Sequence, residues 1–249
     1  PRHFLSLSDD CYIPGMKKLT DAIHEAGGKA GLQLWQGSIC VGMDRTAQIL
    51  VASDMPLGEG RVLPGISKEM IAEVVEAYGK AAARAVASGF DTMEIHLAHN
   101  YLPHSFLSGG INRRTDEYGG SFENRCRFPL EVIRAVRANI PEDMPLFMRI
   151  DAHDDYLPGG LTIEEVIDFC KLAKAEGVDV LDVSRGNVIT PANKFEVPPI
   201  DLPPAFNIEN AARIRKETGM ITVGVGRINT AALAEKILEE DKVDMVVMG

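Results

Sequence analysis

The sequence has little of what marks secreted, membrane-spanning or nucleic-acid-binding proteins. Only four of its 249 residues are cysteines, and no two of them form a CxxC pair. No apolar run reaches the roughly 18 residues of a membrane span. Acidic residues outnumber basic ones, 36 to 26, and the net charge of −10 does not suit nucleic acid or an anionic membrane surface. These absences predict a protein of the reduced cytoplasm that binds neither.

The composition is otherwise that of an ordinary globular domain. Hydrophobic residues make up 45% of the chain and charged residues 25%, which allows a substantial core. A length of 249 residues suits one α/β barrel. Because no linker or low-complexity tract divides the sequence, we expect residues 1–249 to form one domain.

Helical and strand patterns alternate along the chain. The clearest helix begins after Ser67, a good N-cap residue, and ends at Gly89. Thr162 and Glu165 form a capping-box pattern at the start of another helix, and Ser121 is the expected N-cap of the helix 123–139. Long loops are predicted at 39–64 and 188–204. The predicted helices are 14–26, 67–88, 123–139, 162–175, 207–218 and 230–239, and the predicted strands are 29–35, 91–95, 146–150, 179–183, 220–225 and 243–248.

This alternation predicts a parallel sheet covered by helices. Two architectures fit it: an open doubly wound sheet, and a TIM (β/α)8 barrel of which six strands are visible. A polar or glycine residue lies at the C-terminal end of each strand, and a barrel would bring all of these residues to one mouth. We therefore predict the α/β TIM barrel. The residues include Gln33, His96, Arg149, Asp182 and Gly224.

The largest group of candidate catalytic side chains follows the strand 91–95. His96 and His99, three residues apart on an expected helical turn, could direct two neutral donors at one ligand oxygen. The phenol of Tyr101 would serve as a proton donor to a developing carbanion. A metal site is disfavoured, because HLAH lacks the glutamate and the i,i+4 spacing of HExxH. The alternative is a pair of loop histidines hydrogen-bonded to backbone.

Two polar residues lie inside apolar strands. Arg149 in LFMRI needs an anionic or electron-rich partner. That partner is either a reduced cofactor ring or, in the alternative interpretation, an internal carboxylate. Gln33 in GLQLW carries an amide that can bond both edges of a heterocycle. Both residues are therefore candidate cofactor ligands.

A glycine-containing turn, GVGRIN, follows the strand 220–225. Gly224 and Gly226 would let backbone amides approach a phosphate, with Arg227 as the counter-charge. Barrel phosphate sites often follow the seventh and eighth strands, and a tight βα turn without a ligand is the alternative.

The charged segment 112–127, in contrast, is expected to fix a loop through internal arginine–carboxylate pairs.

At these residues the sequence resembles the old yellow enzyme family of NADH:flavin oxidoreductases, which includes ene-reductases and 2,4-dienoyl-CoA reductase. The resemblance covers nearly the whole chain in the family's order. It implies FMN at the mouth of a TIM barrel, with NADH or NADPH as the electron donor. The matching blocks are GLQLWQGS, EIHLAHNYLPHSFLSGGINRRTDEYGGSFENRCRF, LFMRIDAHDDY, GVGRI and DMVVMG.

The resemblance also implies roles for single residues. Gln33 would bond the pyrimidine edge of the flavin, and Arg149 would lie near flavin N1. Hydride would reach Cβ of a C=C bond conjugated to a carbonyl, in an enoate, enone or dienoyl thioester. The candidate set is Gln33, Arg149, Gly224, Gly226, Arg227 and Gly249 for the cofactor and its phosphate, His96 and His99 for the substrate carbonyl oxygen, and Tyr101 for protonation of Cα.

Three features depart from the family pattern. The first residues match the region just before the family's third strand, so a barrel lacking its first two β/α units is expected. The chain stops at VVMG, where members continue with Arg-Pro and a final helix. Gly109 replaces the proline usual after FLS. The HNYL motif is similar to that of the dienoyl-CoA reductase branch, whose members carry further C-terminal portions that bind 4Fe-4S, FAD and NADH.

Other activities stay open. Within the family, the alternative is a flavin-dependent amine dehydrogenase or demethylase, which the paired His96 and His99 disfavour because they suit a carbonyl. A cofactor-free barrel lyase or aldolase on a phosphorylated substrate would use the GVGRI turn, but no lysine lies at a strand end. A non-catalytic barrel would have lost the polar set that is intact here. The expected partner is a small unsaturated carbonyl compound, and a homo-oligomer is left open.

Overall fold

The computed structural model describes residues 5–37, 48–154, 157–186 and 202–248. Within these ranges helices and strands alternate in the predicted order. The helices are α1 (Ile13–Glu25), α2 (Lys68–Ala87), α3 (Leu102–Leu107), α4 (Phe122–Arg137), α5 (Ile163–Ala175), α6 (Ile208–Thr218) and α7 (Ala231–Glu239), and the strands are β1 (Gly31–Leu34), β2 (Met55–Gly58), β3 (Arg61–Leu63), β4 (Thr92–Leu97), β5 (Leu146–Asp151), β6 (Val180–Ser184), β7 (Ile221–Gly224) and β8 (Met245–Val246).

Six strands form one parallel sheet in the order β1-β4-β5-β6-β7-β8. The strands of this sheet follow one another in space as they do in sequence. A doubly wound sheet would instead reverse its strand order at a switch point. The observed succession is that of a barrel, in which the loops at the strand C-termini converge.

The two faces of these strands differ in chemistry. Leu146, Met148 and Ile150 of β5 are buried in the hydrophobic core. Alternate residues of a strand point the opposite way, so the inner face receives the other set. This face carries two polar residues from each of three neighbouring strands: Glu94 and His96 in β4, Arg149 and Asp151 in β5, and Asp182 and Ser184 in β6.

Local signals at the helix N-termini match the sequence prediction. Ser67 and Ser121 each accept a hydrogen bond at 3.2 Å from the backbone amide three residues further on. Thr162 and Glu165 bond reciprocally as a capping box. Each such cap contributes roughly 1 kcal/mol, which is enough to define where a helix begins. These three starts are confirmed.

The prediction of a loop over 39–64 is wrong at its end, where β2 and β3 pair as an antiparallel hairpin. The chain reverses at Gly58, Glu59 and Gly60, which all have positive φ. Both strands are short and largely exposed, so they carry no apolar alternation that would reveal them in sequence. Residues 38–47, and most of the predicted loop 188–204, lie outside the described part of the chain.

Helix α3 was not predicted either. All six of its residues are buried. A helix buried on every side has no apolar stripe, so periodicity does not detect it. The ring of Phe106 in α3 lies 4.4 Å from the ring of Phe128 in α4, measured between centroids. This contact packs α3 against α4. No helix among the described residues is long and apolar enough to cross a bilayer.

Candidate active site

Strand β4 runs to Leu97, because His96 pairs in register with Arg149 of β5. His96 therefore lies inside a strand, and the prediction that it follows the strand on a helical turn is wrong. The chain turns instead at His99 and Asn100, whose φ angles of 59° and 61° are left-handed. Such residues store roughly 1–3 kcal/mol each and cluster at functional sites.

The three predicted catalytic side chains come together at this turn. The ring centroids of His96 and His99 lie 5.0 Å apart, and those of His96 and Tyr101 lie 4.8 Å apart. Trp35, just after β1, meets Tyr101 edge-on at 5.1 Å. His96, His99 and Tyr101 are all buried, so their polar atoms act where water screens charge poorly.

His96 is a neutral imidazole. Burial, with smaller contributions from the charges of His99, Arg149 and His104, lowers the pKa of His96 to about 2. The amide of Ala98 lies 3.4 Å from Nδ1 and donates toward it. The hydrogen of the neutral ring is therefore assigned to Nε2, which makes His96 a neutral donor.

His99 is held in place by residues of two neighbouring strands. Its Nε2 lies 2.8 Å from Oγ of Ser184 and 3.5 Å from Oδ1 of Asp151. Its backbone amide donates to Oδ2 of Asp151 at 2.8 Å. The partners of the His99 ring are thus side chains of β5 and β6, which orient it within the site.

Sequence reasoning missed a buried charged cluster behind this turn. Nδ1 of His104 lies 3.2 Å from Oδ2 of Asp151, and Nε2 lies 3.3 Å from Oδ2 of Asp154. Burial alone would lower the pKa of His104, but the hydrogen bonds and charges of the two aspartates outweigh it and raise the pKa to about 10. The amide of Asn100, 3.0 Å from Nδ1, would suit a neutral ring. We assign the charged ring, because two buried carboxylates need a counter-charge.

Asp154 is fully buried. Ser108 Oγ donates to its Oδ2 at 2.6 Å, and the amide of Leu161 donates to its Oδ1. Burial alone would raise the pKa of Asp154, but the hydrogen bond and charge of His104, together with the hydrogen bonds from Ser108 and Leu161, outweigh burial and hold that pKa below the ordinary value. This carboxylate therefore ties the loop after β5 to the loop after β4.

Gln33 and Arg149 each meet an acidic side chain on the inner face. Nε2 of Gln33 donates to Oε2 of Glu94 at 2.5 Å, and Nη1 of Arg149 donates to Oδ2 of Asp182 at 3.1 Å. The internal salt bridge foreseen as an alternative for Arg149 is therefore present. Nε of Arg149 and Oδ1 of Asp182 are buried without a hydrogen-bond partner among the described residues. The polar spacing i, i+2 within β4 was the signal that could have found Glu94, whereas Asp182 was among the polar residues expected at the barrel mouth.

The glycine turn after β7 shows two different reasons for glycine. A Cβ on Gly224 would lie 2.6 Å from Cδ1 of Ile208 and 3.1 Å from Cγ1 of Val243, so packing requires this glycine. Gly226 has a φ of 137°, and its Cβ would lie 3.0 Å from Cε1 of Phe206. The conformation at Gly226 is one that only glycine adopts freely.

Arg227 is partly exposed and has a left-handed φ of 52°. Across the described residues it has no ion pair or hydrogen bond, unlike most other arginines of the chain. A guanidinium in a left-handed backbone conformation, without an ion pair in the described part of the chain, beside a glycine turn at the C-terminal end of a parallel strand, fits an anion ligand. Gly249, the last predicted cofactor residue, lies outside the described residues.

The segment 112–127 has the structural role predicted for it. Arg114 pairs with Asp116 at 2.7 Å and also donates to the backbone carbonyls of Ala52 and Ile66, on either side of the β2–β3 hairpin. Arg125, nearly buried, pairs with Glu165 of α5 at 2.7 Å and donates to a carbonyl of α3. These arginines fix the loop between α3 and α4, and the prediction is confirmed.

A parallel β/α barrel sheet with a buried His–His–Tyr cluster at its C-terminal end is the arrangement that the resemblance to the old yellow enzyme family implies. The model of the NADH:flavin oxidoreductase / NADH oxidase family matches residues 3–249. The chain belongs to this family. The resemblance inferred from sequence is confirmed, and so is the TIM-barrel fold class.

Three solved structures illustrate the similarity. A 2-naphthoyl-CoA reductase in complex with 2-naphthoyl-CoA is 27% identical with a TM-score of 0.86, and histamine dehydrogenase from Rhizobium sp. 4-9 is 26% identical with a TM-score of 0.79. A morphinone reductase in complex with tetrahydroNAD is 26% identical with a TM-score of 0.75. The matches cover 97%, 96% and 98% of this chain and 38%, 35% and 68% of the other chains, respectively. The chain thus spans little more than a third of the length of the first two.

Proposed function

We propose that this protein is an FMN-dependent oxidoreductase that reduces a C=C bond conjugated to a carbonyl, with NADH or NADPH as the electron donor. The observation that carries the proposal is the buried cluster of His96, His99 and Tyr101 beside Arg149, the register neighbour of His96. Membership of the NADH:flavin oxidoreductase family supports it, as do two reductases among the similar structures.

The residues of the chain fit FMN at three points. Nε of Arg149 is a buried donor that lacks a partner among the described residues, and such a donor suits an acceptor atom of a flat ring. Gln33 offers an exposed amide on β1, two strands from Arg149 on the same sheet. Gly226 supplies a close-approach turn for the phosphate, and Arg227 supplies a positive charge that has no ion pair within the ranges that the structure describes. When bound, FMN would accept two electrons from NADH or NADPH and pass them to the substrate.

The imidazoles would bind and polarise the substrate carbonyl. His96 stays neutral at physiological pH, so it donates one hydrogen bond from Nε2 and adds no charge. His99 is oriented beforehand by Ser184 and Asp151, which lowers the cost of ordering it when a ligand binds. Donors placed where negative charge develops on oxygen stabilise the transition state more than the ground state.

Tyr101 would deliver the proton that completes the reduction. Its ring lies against both His96 and Trp35, which fixes the phenol within the cluster. A carbanion that develops next to a carbonyl needs a proton at Cα, and a phenol can act as that general acid. Tyr101 is the general acid in this proposal, and the histidines are the carbonyl ligands.

The second candidate is an amine dehydrogenase, which the similarity to histamine dehydrogenase supports. The two functions differ in which reactant reduces the flavin. An unsaturated carbonyl substrate oxidises the reduced cofactor, whereas an amine substrate reduces the oxidised one without any nicotinamide. The neutral His96 favours the carbonyl, because a neutral donor matches an oxygen acceptor.

The test is the visible spectrum of the FMN-loaded protein under anaerobic conditions. We expect the flavin band to bleach with NADH or NADPH and to return when an α,β-unsaturated ketone or thioester is added. Bleaching by histamine or trimethylamine alone would instead establish the amine dehydrogenase. A protein that retains no FMN would overturn both.

A further inference from the structure

The inner face of the barrel carries two acidic side chains that the proposed chemistry does not use. Glu94 of β4 and Asp182 of β6 lie on the two strands that flank β5, the strand of Arg149. Their carboxyl groups interact electrostatically with each other. Two ionised carboxylates repel each other and cannot hydrogen-bond, because both are acceptors only, whereas one shared proton permits a hydrogen bond.

The neighbouring contacts decide where a proton must lie. Oδ2 of Asp182 accepts from Nη1 of Arg149 at 3.1 Å, whereas Oδ1 of Asp182 is buried with no donor among the described residues. Oε2 of Glu94 accepts from Gln33 at 2.5 Å. A hydroxyl on Glu94 would supply the donor that Oδ1 of Asp182 lacks among the described residues.

We propose that Glu94 and Asp182 share a single proton and act as positioning residues for Arg149, so that the charge of this three-residue unit changes with the protonation of Glu94. Asp182 holds the guanidinium, and protonated Glu94 holds Asp182. With the shared proton in place the unit is formally neutral. Without it the unit carries one net negative charge. This inference rests on the proposed FMN site.

The other groups around the pair leave this proton where it is assigned. Gln33 on β1 and Ser184 on β6 are uncharged, and β7 presents no titratable side chain. His96 is neutral, and the charge of His99 lowers the pKa of Asp182, which favours placing the proton on Glu94. Burial, followed by the nearby charge of Asp182, raises the pKa of Glu94 to about 7. The unit therefore changes its charge near neutral pH.

A redox consequence follows for a cofactor held beside Arg149. Two electrons from NADH or dithionite, with one proton, add negative charge to the cofactor next to this unit. Above the pKa of Glu94, the pair then takes up one further proton from solvent onto Glu94. Each additional proton per two electrons steepens the pH dependence of the midpoint potential by about 30 mV per pH unit.

The experiment measures the two-electron midpoint potential of the FMN-loaded protein between pH 5.5 and 9. Wild type, Glu94→Gln and Asp182→Asn are compared, and Glu131→Gln, a half-buried carboxyl on α4 outside the barrel face, is the matched control. Glu94→Gln reproduces the protonated pair at every pH. We expect it to agree with wild type near pH 6 and to have the higher potential by pH 8, whereas Glu131→Gln follows wild type throughout.

Two outcomes separate this inference from the proposed function. Identical slopes in wild type and Glu94→Gln, with FMN bound to both, would overturn the shared proton and leave the flavin function standing. Failure of wild type to bind FMN would overturn the function itself. Should the variants not fold, a pH-indicator dye counts proton uptake on reduction of the wild-type protein alone. Uptake no greater than that of free FMN at pH 8 would also overturn the inference.

Discussion

The backbone amide of His99 donates to Oδ2 of Asp151 at 2.8 Å, so the last residue of β5 holds the turn that carries a candidate substrate ligand. Both residues are buried. The left-handed conformation of His99 is unfavourable by itself, and this hydrogen bond offsets part of that strain. The position of the imidazole thus depends on a carboxylate 52 residues away in sequence.

Replacing Asp151 tests this dependence. Asp151→Ala leaves the buried amide of His99 without an acceptor, which we expect to cost roughly 1–3 kcal/mol of stability. Phenol, whose oxygen can occupy the proposed carbonyl-oxygen site, serves as the ligand. Asp151→Ala should weaken its binding to the FMN-loaded protein at least tenfold, because His99 loses its orientation. Asp151→Asn keeps an oxygen acceptor and should bind phenol nearer to wild type. Urea unfolding and a phenol titration of the flavin spectrum measure the two effects. Equal phenol affinity in Asp151→Ala and wild type would contradict the positioning role.

The buried imidazolium of His104 predicts a loss of stability at alkaline pH. Folding raises the pKa of His104 from 6.5 to about 10, so its contribution is fully present below about pH 6.5 and is lost as the pH rises through 10. We expect this contribution to be roughly 3–5 kcal/mol. The difference in unfolding free energy between wild type and His104→Gln should therefore shrink steadily from pH 6.5 to 10.

A surface histidine serves as the control for that series. His24 pairs with Asp91 at 2.7 Å in an exposed position, where such pairs contribute at most about 1 kcal/mol. His24→Gln should therefore change stability little at any pH. A difference between wild type and His104→Gln that stays constant with pH would show that the His104 ring is neutral in the folded protein.

Arg227 and Arg215 should respond in opposite ways to the same substitution. Arg227 has no ion pair within the described residues, so Arg227→Gln should change stability by less than about 0.5 kcal/mol but weaken FMN binding at least tenfold. Arg215 makes a bidentate pair with Asp244 at 2.9 Å, below the N-terminal end of β7. Arg215→Gln should cost up to about 1 kcal/mol and leave FMN affinity unchanged. Equilibrium dialysis measures the affinity of each variant for FMN. An unaltered affinity in Arg227→Gln would exclude this residue from the phosphate site.

Tyr101→Phe separates the two halves of the proposed reaction. Reduction of the flavin by nicotinamide should be unaffected, whereas reoxidation by an unsaturated carbonyl should slow by roughly 10²–10⁴. Tyr78 on α2 is a matched control, because its hydroxyl is buried with no partner among the described residues. Tyr78→Phe should keep both rates and fold at least as stably. Stopped-flow measurement of each half-reaction checks this, and unchanged reoxidation in Tyr101→Phe would exclude it as the general acid.

Much of the site could be predicted from sequence because its residues follow strands. His96, Arg149 and Gln33 were found as polar residues in or after apolar runs, and the parallel register brings His96 beside Arg149. His104 was not found, because its importance comes from Asp151 and Asp154, which lie 47 and 50 positions further along the chain. Nothing in the local pattern around His104 indicates a buried ion pair.

The sequence by itself determined the succession of β/α units, the helix starts at Ser67, Ser121 and Thr162, and the polar groups at the strand ends. These properties depend on capping, periodicity and alternation, which act over a few residues. Only the tertiary structure decided that His99 is oriented by Asp151 and Ser184, and that Arg149 pairs with Asp182. Such contacts join residues of different strands, and they arise only when the register of the sheet brings those side chains to one face.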